Sequence, residues 1–306
     1  MKGPRTGVVD ASYNVQLDRG CACAPSGPRY ESTEVLARNA NVAPMTSILR
    51  WAGSKRKLVK ELRSLAPPVF GRYLEPFAGS AVLFFELLPS AGVLGDLNPE
   101  VIATYSAIRD EPAEVHRYLE SIPKTSDAYY KLRAVDPTAL TGVQRAARLI
   151  FLMKACFNGV YRTNKQGLFN VPLGNKFFAL PDRQIIDAAS RALSKIELVC
   201  GDFADAIDRA ASGDFVYLDP PYSDGSRFRG EYSYNGAFQS DNLERLVNAC
   251  DDLTKKEVRV LLSFKESEAV VDALAGWSFK RLDVTRSVSG FAHSRRTARE
   301  ILAYNY

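Results

Sequence analysis

The sequence predicts an α/β protein: an open sheet with crossover connections, interrupted by a mostly helical insert that carries a hairpin. Three observations lead there. Strand-like apolar runs alternate with helix-like runs along most of the chain after about residue 45. Two of the strand-like runs stop at an acid, Asp96 and Asp219, where an open sheet delivers side chains to its carboxyl edge. Between Asp110 and about Ser194 the alternation breaks into a mostly helical pattern followed by the turn-rich, basic NGVYRTNKQGLFNVPLGNKF.

The elements follow in order. Residues 1–44 include DRGCACAPSGPRY, rich in small and turn residues and without periodicity. They are expected to be a mobile tail or a misassigned start, with Met45 opening the structured pattern. LRWAGSKRKLVKELRSL reads as a short apolar start, a glycine turn and a basic helix. RYLEPFAGSAVLFFELL and AGVLGDLNPEVIATYSAIRD each read as strand, turn and helix, and SKIELVCGDFADAIDRA repeats the theme after the insert. DFVYLDPPY supplies a core strand. NLERLVNACDDL is a helix with Asp241 as its expected cap and Glu244 three positions on. EVRVLLSFK, FKRLDVTRS and AREILAYNY read as three more strands. The catalytic unit is therefore assigned to residues 45–109 and 195–306, and the insert to 110–194.

Composition narrows the function. The chain has 306 residues, a net charge of +5 and a pI near 8.9, a mild excess that permits a polyanionic partner. The sequence shows neither an apolar run long enough to span a bilayer nor a signal-peptide pattern, so a cytoplasmic setting is expected. The five cysteines form no CxxC pair, which argues against a zinc knuckle or a disulfide framework. With two histidines, His116 and His293, catalysis built on several histidines is disfavoured, and no metal is expected.

The first chemical constellation is LEPFAGS, residues 74–80, followed by GDLNPE, residues 95–100. Glycine in a strand-to-helix turn lets backbone approach a ligand closely, and an acid ending the next strand, Asp96, can accept hydrogen bonds from a ribose diol. The glycines do not fit GxGxxG, and there is no GxxxxGK[ST] phosphate loop. The expected cofactor is a nucleoside with few phosphates or none; a tight turn in any α/β fold would look the same.

The second constellation is Asp219-Pro220-Pro221-Tyr222. The prolines fix φ and remove two N–H donors, so the loop is stiff and displays carbonyls. Tyr222 adds a flat face. Acceptors at Asp219 and at the Pro220 carbonyl suit an amino group, and the ring suits a heterocycle. An aromatic amine is a weak nucleophile because its lone pair is delocalised. Acceptors placed on its hydrogens localise that pair for in-line attack on an electrophilic methyl. The competing reading is a structural turn.

LRWAGSK, LEPFAGS, GDLNP, FNGVYRTNKQGLFNVPLG and LDPPY, in that order, resemble the Dam-type DNA adenine-N6 methyltransferases of the alpha group. The resemblance covers nearly everything from Met45 onward. It implies a Rossmann-like, S-adenosylmethionine-dependent fold with an inserted target-recognition domain, acting on double-stranded DNA. It further implies that Trp51 and Lys55 line the methionine end of the cofactor, with Lys55 on its carboxylate. Glu75, Pro76, Phe77, Ala78, Gly79 and Ser80 would form the cofactor loop, Asp96 would hold the ribose, and Asp202 and Phe203 would flank the adenine. Asp219 to Tyr222 would clamp a flipped target base, since the amine is out of reach inside a stacked duplex. In the insert, Arg162 is expected on a guanine edge, and Asn158, Tyr161, Asn164 and Lys165 on bases or phosphates. The Asn-Gly-x-x-Arg-x-Asn spacing matches members that methylate GATC.

Two departures stand out. Ala81 replaces the second glycine frequent in the cofactor loop, and its Cβ is expected to crowd the loop or the ligand. Ser54 replaces a frequent glycine more mildly. Arg295, Arg296 and Arg299 read equally as phosphate contacts or as a solvated loop, and the Gly-rich stretch after DPPY with Arg227 and Arg229 as a loop that orders over the target strand or as a mobile loop without specific contacts. Rival functions are cytosine-N4 methylation, where serine is usual in place of Asp219; methylation of RNA or of a protein glutamine, where asparagine is; and a DNA-binding module without catalysis. Intact Asp219, Pro220 and Tyr222 oppose the last, Ala81 mildly favours it, and measuring donor binding apart from methyl transfer separates the two.

Overall fold

Alternate residues of the central strands feed opposite faces of one sheet, and both faces are covered. β1 (Tyr73–Glu75), β2 (Gly92–Asp96), β3 (Ile196–Cys200), β4 (Phe215–Leu218) and β5 (Arg259–Lys265) pair in parallel. β6 (Ser278–Thr285) and β7 (Thr297–Tyr304) complete a seven-stranded sheet of order β3-β2-β1-β4-β5-β7-β6. β7 runs antiparallel to both of its neighbours, between β5 and β6. Tyr73, Phe215, Tyr217, Leu261 and Leu302 join one hydrophobic cluster; Leu74, Val216, Leu218, Val260, Leu262 and Ile301 join the other. A strand buried on both faces is apolar throughout, which is why FVYL reads as an unbroken run. Each such large side chain contributes roughly 1.5–3 kcal/mol by leaving water.

This computed structural model describes residues 45–221, 240–285 and 297–306, all within one compact unit. The expected tail of residues 1–44, Tyr222 with the loop after it, and Arg295 and Arg296 lie outside the described residues.

Before the insert come α1 (Val59–Leu65), α2 (Val82–Leu87) and α3 (Pro99–Asp110). α3 starts where Asn98 Oδ1 accepts from Glu100 N at 3.0 Å and Pro99 occupies the first turn. The insert supplies α4 (Pro112–Ser121), α5 (Ser126–Ala134), α6 (Gly142–Ala155) and α7 (Arg183–Leu193). Thr141 and Gln144 close a reciprocal capping box at the start of α6. Phe151 and Ile150 of α6 and Tyr129 of α5 are fully buried in the same cluster as Tyr73 and Phe84, so the insert is built onto the core of the sheet. Between α6 and α7 the chain forms the hairpin, with bridges Cys156–Leu173 and Thr163–Phe169.

α8 (Phe203–Ile207), α9 (Ser240–Lys255) and α10 (Glu268–Ala273) follow. α9 is already helical at Ser240, so Asp241, expected as its cap, lies inside the helix. Strand order reverses between β1 and β4. Crossovers leave opposite ways from such a point, and a crevice opens at the carboxyl ends of the strands.

Candidate active site

The strands bring their terminal acids to that crevice. Glu75 ends β1, Asp96 ends β2, and Asp219 follows the last residue of β4. A cavity of about 450 Å³ lies there, the size of a small-molecule site. Trp51, Lys55, the run Glu75, Pro76, Phe77, Ala78, Gly79 and Ser80, and Asp96, Asp202, Phe203, Asp219, Pro220 and Pro221 all line it. The structure thus gathers every expected cofactor residue with the described part of the DPPY stretch; Tyr222 lies outside the described residues.

The loop after β1 is held on Asp96. Gly79 N donates to Asp96 Oδ2 and Asn98 N donates to Oδ1, both at 2.8 Å. Burial pushes the Asp96 carboxyl up to about 6, and these two N–H donors work against the shift. Gly79 has φ 44° and lies under the Trp51 ring; a Cβ there would sit 3.1 Å from Trp51 Cδ1. Both facts favour glycine. Ala81 also adopts the left-handed region, at φ 48°, at a cost of roughly 1–2 kcal/mol. It is fully buried in the core and does not line the cavity. The expected crowding of a ligand is therefore replaced by a local backbone cost.

Glu75 accepts a hydrogen bond from the Tyr73 hydroxyl at 2.9 Å. Burial pushes its carboxyl up to about 8, the charges of Asp219 and Asp96 add to the rise, and the Tyr73 bond opposes it. Asp219 sits in a charged cluster. Lys55 Nζ donates to its Oδ1 at 2.7 Å, the Ser263 hydroxyl approaches the same oxygen at 3.4 Å, and Glu300 Oε2 lies 3.9 Å from the ammonium. Where the resemblance implied Lys55 on the carboxylate of the donor, the structure has it on Asp219. Sequence reasoning missed Ser263 and Glu300. They arrive through strand pairing, Ser263 on β5 and Glu300 on β7 opposite Lys265. The only cue was an acid inside the apolar run of AREILAY.

At the other end of the cavity Asp202 caps α8, accepting from Ala204 N at 3.0 Å. Arg245 of α9 grips the same carboxylate, with Nη2 2.6 Å from Oδ1 and Nη1 3.3 Å from Oδ2. Its guanidinium also lies 4.8 Å from the centre of the Phe203 ring, which stacks on Phe77 at 5.4 Å. Arg245 belongs to no motif and was not foreseen. With Glu75 protonated, three carboxylates (Asp96, Asp202, Asp219) and two bases (Lys55, Arg245) line the cavity, and both bases are paired with acids of the wall. Such a wall offers a polyphosphate little and leaves a net negative charge suited to a ligand that carries positive charge. Aromatic rings at one end and a buried acid that accepts hydrogen bonds suit a nucleoside.

The hairpin residues separate into two groups. Lys165 at the tip and Asn158, in the left-handed region at φ 54°, are exposed. Asn164 Oδ1 accepts from Gln166 N and Leu168 N, both at 3.0 Å, and so builds the turn. Arg162 Nε donates to Asn170 Oδ1 at 2.7 Å, which ties its guanidinium across the hairpin. Tyr161 points inward and stacks on Trp51 with centroids 5.3 Å apart and planes 20° apart.

Comparison with known proteins addresses the chemistry. Residues 51–289 match the family described as D12 class N6 adenine-specific DNA methyltransferase. The type II methyltransferase M1.LlaDCHI of Lactococcus lactis subsp. cremoris is 33% identical over 278 residues, 87% of this chain and 96% of that protein. The retron Ec67 DNA adenine methylase of Escherichia coli is 30% identical, over 85% of this chain and 91% of its own. The DNA adenine methylase of Salmonella typhi is 29% identical, over 84% and 94%. The family match runs through the cavity loop, the helical insert and the strand that delivers Asp219 alike, and on that footing this chain belongs to the D12 class of N6 adenine-specific DNA methyltransferases.

Proposed function

We propose that the cavity binds S-adenosylmethionine and that the chain methylates N6 of an adenine flipped out of double-stranded DNA, within GATC. The observation that carries this reading is the placement of Asp96 and Asp219 on one cavity, at the carboxyl ends of neighbouring parallel strands. The sheet is then read as a Rossmann-like methyltransferase core, and residues 110–194 as its target-recognition domain.

S-adenosylmethionine, when bound, supplies an electrophilic methyl on a positively charged sulfur. In this reading Asp96 accepts from the ribose hydroxyls, and Phe77 and Phe203 offer an apolar face to the adenine. Asp202, locked by Arg245, stands beside them. Trp51 walls the methionine end. Asp219 and the Pro220 carbonyl accept the hydrogens of the target amine, which localises the nitrogen lone pair. Lys55 holds Asp219 Oδ1 in place until the amine arrives. The two prolines stiffen the loop so that this geometry precedes substrate. Arg162 contacts a guanine edge, and Lys165 and Asn158 contact the strand beside it.

Purified protein incubated with labelled S-adenosylmethionine and unmethylated duplexes, with and without GATC, tests the reading. N6-methyladenine confined to the GATC duplex by mass spectrometry is the expected result. Methylation of adenines in other contexts removes the GATC assignment. Donor binding without any transfer removes the proposed roles of Asp219 and Pro220.

A further inference from the structure

We infer that Tyr161, on the hairpin, is a positioning residue for Asp96, so that the recognition element and the donor cavity are joined through one side chain. This rests on the reading of the cavity as the S-adenosylmethionine site. Asp96 is oriented by two backbone N–H groups, those of Gly79 and Asn98, one on each carboxylate oxygen. Tyr161 reaches both routes. Its ring stacks on Trp51, and Trp51 lies directly over Gly79. Its hydroxyl is close enough to the side chain of Asn98 to feel it, and Asn98 Nδ2 is buried with no hydrogen-bond partner among the described residues. Asn98 is itself almost fully buried and caps α3, so it has little freedom to move independently. Phe169, from the returning strand of the hairpin, closes the third side of the Tyr161 ring at 5.7 Å.

The geometry has a direct consequence. Tyr161 does not line the cavity, yet a change in its position displaces the two residues that aim Asp96. A shift of the hairpin on engaging DNA would thus be felt at the ribose end of the donor site. By linkage, donor binding would change the affinity for DNA by the same factor. The resemblance placed Tyr161, with Asn158, Asn164 and Lys165, among candidate base or phosphate contacts.

The test measures binding of S-adenosylhomocysteine by calorimetry to the full chain without DNA. Tyr161→Leu keeps apolar bulk and removes the ring and hydroxyl. It is expected to weaken binding about 3- to 10-fold, the span an aromatic pair is worth. Tyr161→Phe restores the stack and is expected to recover most of that loss. Phe169→Leu thins the packing on the Tyr161 ring but leaves its stack on Trp51 in place, and is expected to cost clearly less affinity than Tyr161→Leu. Unchanged affinity in Tyr161→Leu, with weakened DNA binding, would make Tyr161 a DNA contact and overturn the inference. Equal losses in Phe169→Leu and Tyr161→Leu would overturn it too, by showing general loosening. If Tyr161→Leu does not fold, Tyr161→Phe decides: a small loss of affinity is expected from the missing hydroxyl, and affinity equal to wild type would overturn the inference. Wild-type protein that binds no S-adenosylhomocysteine would overturn the reading of the cavity itself, a result distinct from the others.

Discussion

Glu75 keeps a proton that an unfolded chain would lose. Its carboxyl is held up to about 8 against an ordinary 4.5, chiefly by burial. Between those values the folded state binds more protons than the unfolded one, so the stability due to this group falls as pH rises, and the fall is complete above about 8. Glu75→Gln removes that slope while retaining a partner for the Tyr73 hydroxyl. Its thermal midpoint should match wild type near pH 5 and exceed it by several degrees at pH 8, since roughly 1 kcal/mol moves a protein of this size ~2–4 °C. Parallel pH profiles of the two proteins in scanning calorimetry would count against the assignment. Asp219 works differently, through Lys55 at 2.7 Å and a position at the mouth of the β1–β4 crevice. Asp219→Ala should reduce methyl transfer by at least 10³-fold, in keeping with loss of a preorganised electrostatic contact, while DNA affinity stays within about threefold. Near-normal turnover in single-turnover assays would remove Asp219 from the mechanism.

The hairpin explains its own sequence. Asn164 and Asn170 serve the turn and the strut, one capping Gln166 and Leu168, the other fixing Arg162. A guanidinium held at Nε still presents donors at its far edge, and a guanine needs two in a plane. Arg162→Ala should therefore relax sequence choice at one base pair by about 1–3 kcal/mol of discrimination, and Asn170→Ala should move in the same direction by freeing the guanidinium. Competition binding against duplexes altered at single positions measures both. A uniform loss across all sequences would mark Arg162 as a phosphate contact. The cavity loop shows the same economy: Gly79 is favoured by the close Trp51 ring above it, whereas Ala81 tolerates the left-handed region inside the core.

The whole sheet is tied at its amino edge, away from the cavity. Buried Asp214 accepts from Arg72 N at 2.8 Å, from Arg72 Nη2 at 2.7 Å and from Ala211 N at 3.0 Å. These bonds fix the register of β1 against β4, Tyr73 opposite Phe215, and so the relative height of Glu75 and Asp219. Asp214→Ala removes the shared acceptor of partly exposed donors and should cost on the order of 1–2 kcal/mol in chemical denaturation. The folded fraction should still bind donor analogue normally. A large affinity loss at unchanged stability would mean the register is held by other contacts and Asp214 acts on the site.

The sequence alone determined the strand and helix alternation, the helical stretch that interrupts it and the cavity loop with its acids. Those features are local: a two-residue period, a proline, or a glycine turn is written into neighbouring residues. Asp96 and Asp219 were legible because strand ends in an open sheet converge on one edge. Lys55 on Asp219, Arg245 on Asp202, Glu300 beside Lys55 and Tyr161 on Trp51 were not. Each pair joins residues from 43 to 245 positions apart in the chain. Their meeting depends on which strands pair and which faces of the helices turn inward. Charge and ring chemistry announce that such residues need a partner, and only the packed sheet decides which one.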